Sequence, residues 1–159
     1  MLHINILCVG KIKESFFKDA ISEYLKRLQK YCILNIIELP DRPLPSSLNE
    51  SLSNQIISQE SDQLLSKLKS TSYNIALDSR GKQYKSEEFA DFIAKVQNNH
   101  SEITFIIGGS LGLSNTLKEK CNSMISFSKM TFPHQLMRVF LLEQIFRAFK
   151  ICNNEKYHH

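Results

Sequence analysis

The sequence predicts one α/β domain, with a mainly parallel sheet of five to six strands and helices on both faces. Three observations carry this. Five short apolar runs alternate with stretches of helical periodicity, 42% of the 159 residues are hydrophobic, and no repeat or interdomain linker interrupts them. A chain this long buries roughly 70% of its unfolded surface, so residues 1–159 are expected to form a single domain without disulfides or metal.

The expected strands are Ile4–Val9, Ile33–Leu39, Tyr73–Leu77, Ile103–Ile107 and Met124–Phe127. Phe17, Ala20, Ile21, Tyr24, Leu25 and Leu28 recur at three- and four-residue steps and mark a helix after the first strand. Pro40, Pro43 and Pro45 then force a loop. A longer helix is expected from about Leu52 to Leu68, with Ser46–Ser61 forming a mobile, serine-rich surface without chemistry. Ser86 is expected to cap a helix over Glu87–Gln97, and Ser114 a short one after the glycine segment. The last helix is expected over Gln135–Lys150.

Cys8, Cys32, Cys121 and Cys152 form no C-x-x-C pair and read as small hydrophobes rather than metal ligands. Unpaired thiols and the lack of a signal peptide or an 18-residue apolar run suggest a cytoplasmic protein. The net charge is +4, and from Lys129 to the end five basic residues face two acidic ones, so a phosphate-rich partner is attracted there first. A dinucleotide site is disfavoured because a single glycine, Gly10, follows the first strand, although Glu38 mimics a ribose-binding acid. No G-x-x-x-x-G-K-[ST] occurs, which excludes a P-loop.

The glycines lie instead after the fourth strand, in Gly108-Gly109-Ser110-Leu111-Gly112, where backbone can approach a ligand closely. Asp78-Ser79-Arg80-Gly81-Lys82 ends the third strand, and Ser128-Lys129-Met130-Thr131-Phe132-Pro133-His134 follows the fifth. All three segments leave the end of the sheet where ligands bind in open α/β folds.

On the last helix, apolar residues from Met137 to Phe149 span about 200° of arc. A second burial surface, against a partner subunit, is one explanation; a central position within the monomer is the other. Arg138 falls inside the arc and must meet a carboxylate, carbonyls or a ligand. Arg147 lies four residues after Glu143, where an ordinary helix-surface pair explains it.

The run Ser126–Val139 with its Thr-x-Pro-His-Gln core, the two preceding loops, the stretch Glu143–Lys150 and the closing Tyr157-His158 are together similar to the RlmH family of ribosomal RNA pseudouridine N3-methyltransferases, within the SPOUT superfamily. The resemblance spans essentially the whole chain. It implies a SPOUT fold with a C-terminal trefoil knot and a homodimer. It also implies S-adenosylmethionine bound at Leu77, Gly108, Phe127, Ser128, Lys129, Met130, Thr131 and Phe132. The implied reaction methylates N3 of pseudouridine 1915 in helix 69 of 23S ribosomal RNA, on assembled ribosomes. The alternatives are a SPOUT enzyme for another RNA, such as transfer RNA, and a non-catalytic ribosome-binding factor. Candidate catalytic residues are His134, neutral and accepting a proton at the helix start, Arg138, and the tail residues Tyr157 and His158. The chain departs from the family at Phe146 (usually tyrosine), at Asn153-Asn154 (commonly Arg-Gly) and at His159 (usually basic).

Overall fold

The computed structural model describes all 159 residues. The elements are β1 (Leu2–Val9), α1 (Ser15–Leu28), β2 (Cys32–Leu39), α2 (Glu50–Leu65), β3 (Tyr73–Gln83), α3 (Ser86–Asn99), β4 (Glu102–Ile107), α4 (Asn115–Lys120), β5 (Ser123–Ser126) and α5 (His134–Cys152). The strands form one all-parallel sheet in the order β2-β1-β4-β3-β5. Both faces are covered. Along β1, Leu2, Ile4, Ile6 and Cys8 point into a core with α1, α3 and α5, while Leu7 and Val9 point toward α2 and α4.

Several boundaries differ from expectation for identifiable reasons. β3 runs past Leu77 to Gln83, so Asp78–Gly81 is a bulge within the strand: Leu77 and Lys82 both pair with Ile125 across the register shift. Ser86 does not cap α3. Lys85 occupies that position, its N–H donating 2.8 Å to Glu88, and the Ser86 hydroxyl turns to Gln144. Ser114 does cap α4, accepting from the Leu117 N–H at 3.1 Å.

The serine-rich segment is mostly exposed, as expected, but one side of it is anchored. Asn49 caps α2, and Ile56, Glu60 and Ser61 are buried on it. The wide apolar arc of α5 has an intramolecular explanation, because the helix lies between α1 and α3 with Leu141, Leu142, Ile145, Ala148 and Phe149 buried. Two of the four cysteines, Cys8 and Cys32, are fully buried, and burial pushes their thiols up to about 11 and about 12; Cys152 is exposed.

Candidate active site

The segments after Ala76, Ile107 and Ser126 line one groove of about 710 Å³ at the C-terminal edge of β4, β3 and β5. It lies beside the point where the strand order reverses, between β1 and β4, the place where an open α/β sheet offers a crevice. Leu77, Gly108, Phe127, Ser128, Met130, Thr131 and Phe132 all line it. Lys129 does not; it is exposed in a neighbouring shallow depression with Arg80 and Gln83.

The glycine segment closes on itself through a Gly112 N–H donating 3.0 Å to the Gly109 carbonyl. A Cβ on Gly108 would stand 2.8 Å from the Gly112 carbonyl carbon, so only glycine permits this fold-back. The turn is braced from α2: the Ser61 hydroxyl accepts the Ser114 N–H at 2.9 Å, and the Glu60 carboxylate lies against Gly109. Burial pushes the Glu60 carboxyl up, against the opposing pull of the Arg42 N–H. On the other wall, Ser126 donates 2.8 Å to the Ser128 carbonyl and Ser128 accepts the Met130 N–H at 2.9 Å, folding the chain back over the groove. Asp78 is paired with Lys118 at 3.1 Å. Burial pushes its carboxyl up, but the Arg80 N–H and Lys118 together hold it below the usual range.

His134 lines the groove at the first turn of α5; Arg138 lies behind it, fully buried. The guanidinium donates to Glu38 at 2.7 Å, to the Val9 carbonyl at 3.1 Å and to the Gly10 carbonyl at 2.7 Å. Its Nε has no partner. Glu38 also accepts the Ile12 N–H, so it clamps the turn after β1. Gly10, at φ +91°, has the His134 ring 3.1 Å from where a Cβ would stand. The Arg138 Nη2 is 3.3 Å from His134 Nδ1. Nη2 has two hydrogens and the Gly10 and Val9 carbonyls lie closer, so this is its third and longest contact; a donor on that side favours the tautomer with the proton on Nε2. Burial, and then Arg138, push the His134 pKa down. Burial and the neighbouring Arg138 cation thus both favour the neutral ring. Arg138 does not itself line the groove; it reaches it through the His134 ring and braces the β1 turn.

Tyr157 and His158 are not brought to His134. They pack at the other end of α5, where the Tyr157 ring meets Phe146 edge-on at 4.9 Å and lies under the Arg147 guanidinium at 4.7 Å. The Tyr157 hydroxyl donates to Glu143 at 3.1 Å, and His158 bridges Arg147 at 3.1 Å and Glu87 at 2.7 Å. Burial, then Glu143, push the Tyr157 phenol up, so it stays protonated. Phe146 packs here against Tyr24, Tyr31 and Tyr157 with no hydroxyl needed. Asn154 adopts φ +53°, so the turn before the tail keeps the left-handed geometry of a glycine.

The family described as "Predicted SPOUT methyltransferase" matches residues 2–158. The chain belongs to this SPOUT family. Ribosomal RNA large subunit methyltransferases H are similar to it at full length: 52% identical over 158 residues in Clostridium botulinum, 49% in Clostridium acetobutylicum and 48% in Streptococcus uberis, each alignment covering 99% of both chains. Among solved structures, a probable methylase family protein from Haemophilus influenzae shares the fold at TM-score 0.57 and 17% identity, over 98% of this chain and 70% of that one. A putative methyltransferase from Legionella pneumophila, solved with SAM bound, does so at TM-score 0.52 and 12% identity, over 93% and 66%.

For this SPOUT methyltransferase, sequence reasoning missed Glu143, Glu60 and a second cavity of about 610 Å³ beside the groove. Glu143 shows in sequence only as an i,i+4 partner of Arg147, a pairing that holds at 2.7 Å but hides its contact with the tail. Nothing in the sequence marks Glu60 apart from the other polar residues of α2. No group of three or more His, Cys, Asp or Glu is placed to hold a metal ion, and no helix is long and apolar enough to cross a membrane.

Proposed function

We propose that the chain, as a single domain over residues 1–159, is an S-adenosylmethionine-dependent methyltransferase. Its target on this reading is N3 of a pseudouridine in large-subunit ribosomal RNA, position 1915 in helix 69, within assembled ribosomes in the cytoplasm. The C-terminal part carries the trefoil knot. The convergence of three chain segments on one groove carries the reading, together with full-length relatives named for that RNA.

The residues fit the cofactor. The groove lies within the few-hundred to 1,000 Å³ range usual for a small-molecule site. The Gly108–Gly112 turn exposes backbone at its three glycines, and Leu77, Leu111, Phe127, Met130 and Phe132 supply apolar contact. When bound, the cofactor would supply a sulfonium methyl whose carbon N3 attacks in line, the S–C electron pair leaving with sulfur as a neutral thioether while N3 gives up its proton. The protein's share is orientation and stabilisation of the imide anion. His134 donates from Nε2 toward a carbonyl flanking N3, and Arg138 fixes that tautomer. Tyr157 and His158 hold Glu143 and Arg147 at the polar end of the adjoining cavity and so position the substrate side of the site, while the N3 proton leaves through the open groove.

Exposed Lys11, Lys13 and Arg42 follow β1 and β2, exposed Lys82 lies at the end of β3 and exposed Lys129 follows β5, so the C-terminal edge of the sheet carries basic side chains. This charge suits an RNA backbone crossing the cofactor site. A homodimer is supported by exposed apolar side chains, Phe16 at 64% and Met130 at 74%.

The test is methyl transfer from labelled S-adenosylmethionine to purified ribosomes, isolated subunits and bulk transfer RNA, with nucleoside analysis of the product. Label in 23S RNA as N3-methylpseudouridine is expected. Label in transfer RNA alone, or none with any substrate, overturns the reading.

A further inference from the structure

The second cavity adjoins the groove along Ile125–Ser128 and Phe132, lining the two share. Its remaining walls are rings, Tyr84, Phe89 and Phe140, and one end is polar, formed by Ser86, Gln144 and Glu143. Aromatic faces around a polar edge are how proteins hold an unstacked nucleobase. The polar end is chained together. Ser86 donates to the Gln144 carbonyl oxygen at 3.2 Å, and the Gln144 amide donates to Glu143 Oε2 at 3.0 Å. Glu143 Oε1 takes Arg147 Nη2 at 2.7 Å and the Tyr157 hydroxyl at 3.1 Å. Tyr157 and His158 thus connect to this cavity and not to His134.

We infer that this cavity receives the target base and that Glu143 is the residue that distinguishes pseudouridine from uridine. The inference rests on the methyltransferase reading above. Pseudouridine is joined to its ribose through carbon, so N1 keeps a hydrogen that uridine does not have. With N3 turned to the cofactor groove, N1–H points away from it and needs an acceptor. Glu143 Oε2 has one strong donor, Gln144, and a long contact of 3.4 Å from Arg147 Nε, leaving a lone pair available. A cofactor nucleoside already has the groove, so the second cavity is left for the other reactant.

The test compares kcat/KM on ribosomes carrying pseudouridine or uridine at the target, for wild type and Glu143→Gln. Arg147 holds Oε1, so the amide keeps its oxygen there and turns its NH₂ into the cavity, donor against donor. The preference for pseudouridine should fall about ten-fold or more. A preserved ratio in a folded variant that still methylates ribosomes overturns the assignment of Glu143. A variant that loses cofactor affinity by calorimetry with the ratio unchanged shows that the cavity holds the cofactor's adenine, which also overturns it. Absence of any transfer by the wild type sinks the underlying methyltransferase reading instead. Wild-type protein gives an independent check if the variant fails to fold. Pseudouridine monophosphate should compete with ribosomes at concentrations where uridine monophosphate and N1-methylpseudouridine monophosphate do not, and equal competition by all three overturns the inference.

Discussion

Arg138→Met is the substitution for which the structure sets the largest cost. Methionine fills much of the volume of the buried arginine stem but returns none of its hydrogen bonds. Three acceptors lose their donor: Glu38 and the carbonyls of Val9 and Gly10. A buried carbonyl left without a partner costs about 1–3 kcal/mol. Breaking a buried ion pair costs about 3–5 kcal/mol, and the Glu38 side chain, 34% exposed, recovers part of that through water. The unpartnered Nε offsets a little more, because removing it also removes a desolvated donor. A net loss of about 3–5 kcal/mol follows, or a fall in Tm of about 10 °C for a domain of this size. Urea unfolding of both proteins measures it. The same variant should lower kcat more than it alters cofactor affinity, since the His134 ring loses its backstop while the groove lining is untouched. A loss below about 1 kcal/mol would refute the claim that this guanidinium ties α5 to the end of β1.

Gly108→Ala should weaken cofactor binding by about ten-fold or more in calorimetry, because its Cβ would meet the Gly112 backbone at 2.8 Å; an unchanged affinity would show that the turn can relax. Gly112→Ala meets open space and carries only the left-handed strain of φ +85°, about 1 kcal/mol, read as a small shift in the urea midpoint. Removal of Tyr157–His159 should reduce methylation about 100-fold while leaving cofactor affinity within about two-fold; loss of both would make the tail a purely structural strap. The depressed His134 pKa implies a stability term that is intact above its unfolded value of 6.5 and lost as pH falls, because the unfolded chain then takes a proton the folded one resists. His134→Gln should flatten that part of the pH profile of unfolding, and an unaltered slope between about pH 7.5 and 5.5 would assign the term elsewhere.

Periodicity and turn chemistry made the α/β class, the five strand positions and the Ser114 cap legible, since each is local. Strand order was not, because nothing in the run Ser123–Ser126 says that it pairs with β3 rather than β4. The segment Asp78–Lys82 read as a loop because a glycine and three charged residues mimic one; only pairing with Ile125 on both sides of the bulge reveals a strand. The groove was legible as three segments at one sheet edge. Lys129 fell outside it because residues two apart on a folded-back turn face different ways. Arg138 was recognised as a charge needing partners, but whether those were ligand or backbone depended on β1 lying beneath α5. Glu60 and Glu143 were hidden for the same reason, as their partners are distant in sequence or were judged by one helical neighbour alone.

The placement of the four catalytic candidates turns on α5. His134 and Glu143 are nine residues apart on it, about 13–14 Å along the axis. The first stands in the cofactor groove and the second in the adjoining cavity. A helix buried between α1 and α3 and tied to β1 through Arg138 cannot shift one end without the other. The distance between methyl donor and acceptor is then set by the sheet and α5, not by a mobile lid. Substitutions that loosen α5 as a body, Arg138→Met above all, should therefore depress kcat even where neither cavity loses a contact, whereas Glu143→Gln changes which base is accepted and leaves the spacing intact.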